Sequence, residues 1–187
     1  MTFFHLVPRV DDGDALVDFD GRRGRLVEHF VFGGDGPFLS FMTPRARAHP
    51  GAWTQRIGEL DYLESTSPIP LFSPRFRAAL GHELVDDIAF AECIVQAGDR
   101  EYAFFAGHVL RSLDLVDPDS STSRTLSDGS TSLMVLGFRD PSRADFYLAR
   151  DRAEPFALIA TDAMRLLCEQ RGLTVDFVPY NMGGAPS

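Results

Sequence analysis

The residues best suited to chemistry in this chain are its carboxylates and histidines. Three D-x-D pairs occur: Asp12/Asp14, Asp18/Asp20 and Asp117/Asp119. Carboxylates two residues apart can share a hard cation through oxygen ligands. None of these pairs extends into an EF-hand pattern, and Asp is equally the ordinary residue of turns, where it bonds its own backbone. The pairs therefore read as turn residues, and no metal is expected. The five histidines, His5, His29, His49, His82 and His108, are scattered. His82-Glu83 does not continue into the H-E-x-x-H pattern that puts two imidazoles on one helical face. His108 alternates with Phe104, Ala106 and Leu110, which makes it a satisfied strand histidine before a ligand or a base. "GGDG", Gly33 to Gly36, lacks both the G-K-[ST] of a phosphate-binding loop and the spacing of a dinucleotide fingerprint, and reads as a turn. There is no G-x-S-x-G and no C-x-x-C. The residues alone thus describe a chain without a recognisable catalytic site, with no enzyme activity and no cofactor expected.

Composition sets the frame for these groups. The chain has 187 residues, enough for one domain with a real core or two small ones. Hydrophobic residues are 44% and charged residues 24%, ordinary for a soluble globular protein. No apolar run approaches the roughly 20 residues that cross a bilayer, so no membrane partner is expected. The first residues, "MTFFHLVPRV", lack a charged region followed by a long apolar one and do not read as a signal peptide. Cys93 and Cys168 lie inside apolar stretches, as buried thiols of a reducing compartment do. Phe is common, at 16 residues, which favours a Phe-rich β core. The net charge of −9 argues against nucleic acid, since phosphate binding is driven by Lys and Arg. It fits plain solubility or a basic protein partner.

The elements follow from periodicity. "FFHLVP" reads as a first strand. Short β-like runs separated by turns at Asp12-Gly13 and Asp20-Gly21 continue to "RLVEHFVF". "GGDGP" and "TPRARAHPGAW" read as loops, and "ELDYLES" as a short strand. Ser73 is a good N-cap and Pro74 suits the first helical position, with Phe76, Ala79 and Leu80 forming an apolar stripe at i, i+3, i+4. "DDIAFAECIVQ" and "REYAFFAGHVL" are apolar on both faces and read as central strands covered on each side. "RSLDLVDPDSSTSRTLSDGST" reads as a long polar loop, of the kind that tends to be functional or mobile. "SLMVLGF", "ADFYLA" and "PFALIA" are further strands. A second helix opens at Thr161, with Asp162 meeting the helix dipole and Met164, Leu167 and Cys168 as its stripe. Phe76 and Leu167 are expected to be buried. Gly172 ends that helix, "LTVDFV" is a strand with Leu173, Val175 and Phe177 on one face, and "NMGGAPS", 181–187, is a frayed tail. The expected fold is a single α+β domain over 1–187, mostly antiparallel sheet with two or more short amphipathic helices.

Three segments together resemble a known family. "LFSPRFRAAL" (71–80), "GHVLRSLDLVDPDSS" (107–121) and "DFYLARDRAEPFALIATDAMRLLCEQRGLTVDFVPY" (145–180) are similar to bacterial polymorphic-toxin immunity protein family eleven, formerly a domain of unknown function of myxobacterial type. Ser73, Phe76 and Leu80 match its first helix. Asp114, Asp117 and Ser120 roughly match its middle stretch. Phe146, Thr161, Leu167, Gly172, Leu173 and Phe177 match its last module, with Thr161 at the usual Ser and Val175 where Gly is common. The likeness covers about residues 60–180, and the first 60 residues match no known pattern.

The resemblance implies a cytoplasmic antitoxin that binds and neutralises a cognate secreted toxin, a nuclease or other enzyme, by blocking its active site. A nuclease needs a basic substrate groove, which an acidic antitoxin can plug and reach quickly by steering. The Ser/Asp loop 112–130, with Asp114, Asp117, Asp119 and Asp128, is the first expected contact surface, and the acidic segment 11–20, with Asp12 and Asp14, the second. Two other readings stay open on the residues alone: a small enzyme using a D-x-D pair or His108, and a binding module unrelated to toxins.

Overall fold

Alternation of buried and exposed residues closes one set of strands into a barrel and stacks a second set against it. The computed structural model describes residues 2–11, 15–21, 23–34, 37–125, 131–139 and 145–180. In chain order the first elements are β1 (Phe3–Pro8), β2 (Leu16–Phe19), α1 (Arg23–Phe30), β3 (Arg45–Ala48), β4 (Tyr62–Ser65), β5 (Leu71–Phe72) and α2 (Pro74–Leu80). The long pair β6 (Ile88–Ala97) and β7 (Arg100–Val109) follows, then β8 (Ser112–Leu113), β9 (Thr122–Thr125) and β10 (Thr131–Val135). The chain continues with β11 (Leu148–Asp151), β12 (Leu158–Thr161), α3 (Asp162–Gln170) and β13 (Val175–Pro179). Short 3-10 helices lie at Pro37–Ser40 and Ala52–Glu59. The fold is α+β, with most strand pairs antiparallel.

The barrel runs β2-β3-β6-β7-β5-β4 and closes through the parallel pairing of β4 with β2. Its spine is the β6–β7 hairpin, in unbroken register from Ile88↔Val109 to Ala97↔Arg100. A two-residue turn joins the pair, with Gly98 at φ +59 in the first central position, where the twist-matched hairpin turn requires glycine. Cys93, Val95 and Ala97 alternate inward from β6, and Phe104 and Ala106 from β7. Leu26 and Phe30 of α1 close the interior, with Trp53 and Ile57 of the second 3-10 helix.

A second sheet, β13-β1-β12-β11-β8, packs beside the barrel. The core between them draws Tyr62, Phe72, Ile88 and Val109 from the barrel, Phe4, Leu6, Leu148 and Leu158 from the sheet, and Phe76, Leu80, Met164 and Cys168 from α2 and α3. Phe3, Phe146, Ala149 and Ile159 form a smaller cluster on the other face of the sheet. A side chain at Gly107 would strike Ile88 and Phe72, its Cβ lying 2.6 and 2.8 Å from their atoms, so only glycine lets β5 and β7 approach beneath α2. Both helix starts form as expected. Ser73 Oγ accepts the Phe76 N–H at 3.0 Å, and Thr161 Oγ1 accepts that of Met164 at 3.3 Å. Gly172 takes φ +64 after α3. Both cysteines are buried free thiols.

Several expectations are corrected. "RLVEHFVF" is largely helix, because Leu26 and Phe30 bury a helical face while the valines in it suggested a strand. "TPRARAHPGAW" contains β3, whose parallel pairing with β6 helps close the barrel and which buries Ala46 alone. The stretch 111–130 is not a single loop: β8 pairs with β11, and β9 pairs with β10. β6 and β7 are covered on both faces only where α2 lies; Ala89, Glu92 and Ala103 are exposed. Leu167 is only half-buried, since Met164 and Cys168 carry the buried face of α3. The expected tail, 181–187, lies outside the described residues.

Phe76→Ala is expected to lower stability by about 3–5 kcal/mol, because the side chain is fully buried with its ring 4.3 Å from that of Phe72. Leu166→Ala, at an exposed position of α3, should stay within about 0.5 kcal/mol of wild type. Denaturant midpoints of the two variants measure both.

Candidate partner-binding surface

The surface around Asp114, Asp117 and Asp119 is built on a carboxylate that sequence reading did not single out. Asp151 ends β11 and is 1 % exposed. Its Oδ2 accepts the N–H groups of Leu115 at 2.8 Å and Val116 at 2.7 Å. Its Oδ1 accepts those of Ala153 at 2.8 Å and Glu154 at 2.9 Å. One carboxylate thus fixes two turns, the one leaving β8 and the one leaving β11. "ARDRAEP" carries the trace of this, an Asp just before a polar turn with Pro, but the partners at 115 and 116 are remote in sequence.

Beyond Val116 the chain turns through Asp117 to Ser121. Asp117 Oδ1 accepts the Asp119 N–H at 3.2 Å, and the Asp117 carbonyl accepts the Ser121 hydroxyl at 2.7 Å. Ser121 Oγ accepts the Gly137 N–H at 2.9 Å, and the Asp117 N–H reaches the Gly137 carbonyl at 2.9 Å. The turn is therefore tied across to the segment that follows β10. Asp119 is exposed at its tip. Asp114 instead forms an ion pair with Arg152 at 2.7 Å, both side chains exposed. Structure thus places Asp117 and Asp119 together on one turn and gives Asp114 a cation of its own. Asp12, Asp14 and Asp128 lie outside the described residues.

The other D-x-D pair is occupied with structure. Asp18 accepts the Thr66 hydroxyl and lies 2.7 Å from His49 Nε2. These bonds, with Thr66 first and His49 second, hold the Asp18 pKa below its ordinary value. A carboxylate between hydroxyl and imidazole is not a triad, because the imidazole cannot take the hydroxyl proton. Asp18 therefore pins the ends of β2, β3 and β4. Among the described residues no group of three or more His, Cys, Asp and Glu side chains is placed to hold a metal ion.

His108 sits on the barrel-inner face of β7, its ring 5.0 Å from that of His29. Burial first, then the neighbouring His29 and Arg150, hold the His108 pKa below its ordinary 6.5. Elsewhere on the surface Phe32 and Phe156 meet edge to face at 5.6 Å, and His5 stands 3.7 Å from Glu64. Searched against models of protein families and against curated proteins, the chain matches none. The likeness to immunity proteins therefore rests on the three segments themselves. No helix among the described residues is long and apolar enough to cross a membrane.

Asp151→Asn keeps the shape but turns an acceptor edge into an N–H₂ donor facing two N–H groups. It should cost about 2–3 kcal/mol, since bonds to a charged acceptor are lost and donors are left buried. Hydrogen exchange at Leu115 and Val116, or at Ala153 and Glu154, should speed up with it. Protonation of His108 should also weaken the fold. A base with a lowered folded pKa binds its proton better when unfolded, so stability falls as pH drops below 6.5 through the folded value. His108→Gln should flatten that part of the stability–pH curve.

Proposed function

We propose that this chain is an immunity protein: it binds a cognate toxin domain in the bacterial cytoplasm and blocks that domain sterically, with the Asp117–Ser121 turn in the contact. The observation that carries the reading is the preorganised acidic turn. Asp117 and Asp119 are presented on a backbone already fixed by Asp151, Ser121 and Gly137. A turn that is ordered before binding loses little conformational entropy on association. The net charge of −9 supports a basic partner, whose approach it accelerates. The three-segment resemblance supplies the partner's class, a toxin delivered from a neighbouring cell.

The test uses the toxin encoded beside this chain. Asp117→Asn/Asp119→Asn retains the turn's acceptor geometry and removes two charges. Its association rate with the toxin should fall several-fold at low salt, with a flatter dependence on ionic strength and little change in dissociation. Stopped-flow association across a salt series measures this. Wild-type rates and salt dependence in the double variant would move the contact elsewhere. A wild-type chain that neither binds nor protects against that toxin removes the immunity reading.

A further inference from the structure

Where the β6–β7 turn meets the second 3-10 helix, the mouth of the barrel holds an open depression of about 370 Å³. Thr54 and Gln55 of the helix line one side of it; Gly98, Asp99 and Arg100 of the turn and Tyr102 of β7 line the other. Its wall follows from the strand period. Phe104 and Ala106 point into the barrel, so Arg100 and Tyr102, at two-residue spacing before them, fall on the same inward face of β7. Arg100 stands there opposite Ala97, the last inward residue of β6. Tyr102 is half-buried against the barrel core. Its Cε1 lies 3.5 Å from where a Cβ on Gly58 would stand, so the 3-10 helix backs one edge of the ring. The ring is therefore a held part of the wall. The volume lies within the range of small-ligand sites, about 300–1,000 Å³, and the mouth of a barrel is a place where such sites occur.

The fold makes no use of the polar groups gathered here. Among the described residues, the side chains of Gln55, Asp99, Arg100 and Tyr102 form no hydrogen bond and no ion pair. Asp99 and Arg100 are adjacent and opposite in charge, yet they do not pair, whereas Glu101 on the outer face pairs with Arg45. Thr54 Oγ1 donates to the Gly51 carbonyl at 2.8 Å and keeps its capacity to accept. The depression thus offers several donors, several acceptors, an aromatic ring and no net charge. Its ligand must give and take hydrogen bonds at several points, carry no net charge, and present an apolar face to Tyr102. A pyranose ring meets all three conditions. Each hydroxyl both donates and accepts, and the C–H groups of one ring face meet the negative face of an aromatic ring. Hydrogen bonds to a carboxylate and a guanidinium are of the stronger, charge-assisted kind. We propose that this depression is a saccharide-binding site: one hexopyranose ring packs a C–H face on Tyr102 and bonds its hydroxyls to Gln55, Asp99 and Arg100. An anion would meet Asp99 and a cation Arg100, so a neutral sugar suits the site better than either. The proposal goes beyond the immunity reading and does not rest on it.

The experiment titrates the nitrogen-labelled full chain at neutral pH with D-glucose, D-galactose, D-mannose or N-acetyl-D-glucosamine and follows backbone amide shifts. Sorbitol, which has the hydroxyls and no ring, and glycine, a zwitterion, are the controls. At least one of the four sugars should shift the amides of Thr54, Gln55, Gly98, Asp99 and Arg100 saturably, and neither control should. Tyr102→Leu should abolish that response. Asp99→Asn should weaken the apparent affinity several-fold; it alters an exposed turn residue and keeps the test decisive if Tyr102→Leu does not fold. No saturable response to any of the four sugars, an equal response to sorbitol or glycine, a response confined to amides away from this turn and helix, or one that Asp99→Asn leaves unchanged would each overturn the proposal. No toxin enters this measurement, so its failure and the failure of the immunity reading are separate events.

Discussion

Three buried carboxylates, Asp61, Asp87 and Asp151, hold this molecule's irregular segments in place. Each accepts backbone N–H groups that no strand ladder or helix can satisfy, and a buried N–H without a partner costs about as much as a lost hydrogen bond. Asp61 lies just before β4 and faces the turn between α3 and β13, taking bonds from Arg75, Ser73 and the Thr174 N–H. Burial by itself would raise its pKa, yet the bonds from Arg75, Ser73 and Thr174 outweigh burial and leave it below the ordinary value. Asp87 starts β6 and reaches across to Arg111 and to the N–H groups of Tyr147 and Leu148 at the head of β11. Asp151 ends the same strand and fixes the candidate contact turn. The barrel and the sheet are thus joined by apolar packing and located, relative to one another, by acids.

That division of labour explains why so little regular structure suffices. Several of the barrel strands have four residues or fewer, too short to fix their own register by pairing alone. β6 and β7 supply the register, and α2 covers the part of their outer face that has no charged residues. There Phe72, Phe76 and Phe90 meet ring against ring, and the Arg77 guanidinium lies 4.4 Å over the ring of Phe105. The Phe-rich composition is used at this seam, where ring edges and faces fill the wedge between a curved barrel and a helix. The loops that leave the seam are then positioned by the acids rather than by their own propensity.

Local chemistry was legible in the sequence, and long-range chemistry was not. Ser73-Pro74, Thr161-Asp162 and Gly172 announced their helix ends, because each acts within four residues of itself. β1, β6, β7 and β13 were legible because their apolar residues are continuous or alternate. α1 was obscured by Val27 within it and Val31 just after it, residues of β preference that pack against the barrel interior from a helix and the turn that ends it. β3 was invisible because its pattern "RARA" has only alanines to bury, and the register comes from β6. Asp117 and Asp119 were legible as turn residues. Asp151, which holds the turn, was not, since its partners at 115 and 116 are brought to it by the parallel pairing of β8 with β11. Arg150 was hidden for a related reason: a lone Arg in "YLARD" looks like a strand-end surface residue, and only the closed fold shows the Pro68 and Pro155 carbonyls that receive it.

The net charge itself needs to be read in two parts. Much of the acidity is taken up locally: Asp176 by Arg9, Glu101 by Arg45, Asp114 by Arg152, Glu83 by Arg171, and Asp162 and Glu169 by Arg165. Such exposed pairs contribute little to stability, about 0–1 kcal/mol each. They also quench the local potential, so they cannot by themselves recognise a cation. At distances beyond the Debye length, about 8 Å in physiological salt, a partner is attracted only weakly and by the summed charge. Within that distance it meets individual groups, and there an unpaired carboxylate on a fixed backbone counts for more than several paired ones. Among the expected contact residues that the structure describes, this separates Asp117 and Asp119, which pair with no cation among the described residues, from Asp114, which pairs with Arg152. Under the proposed immunity reading, contact at this turn would draw on these two carboxylates and the buried acid beneath them, while the remaining surplus charge would set how fast a basic partner arrives.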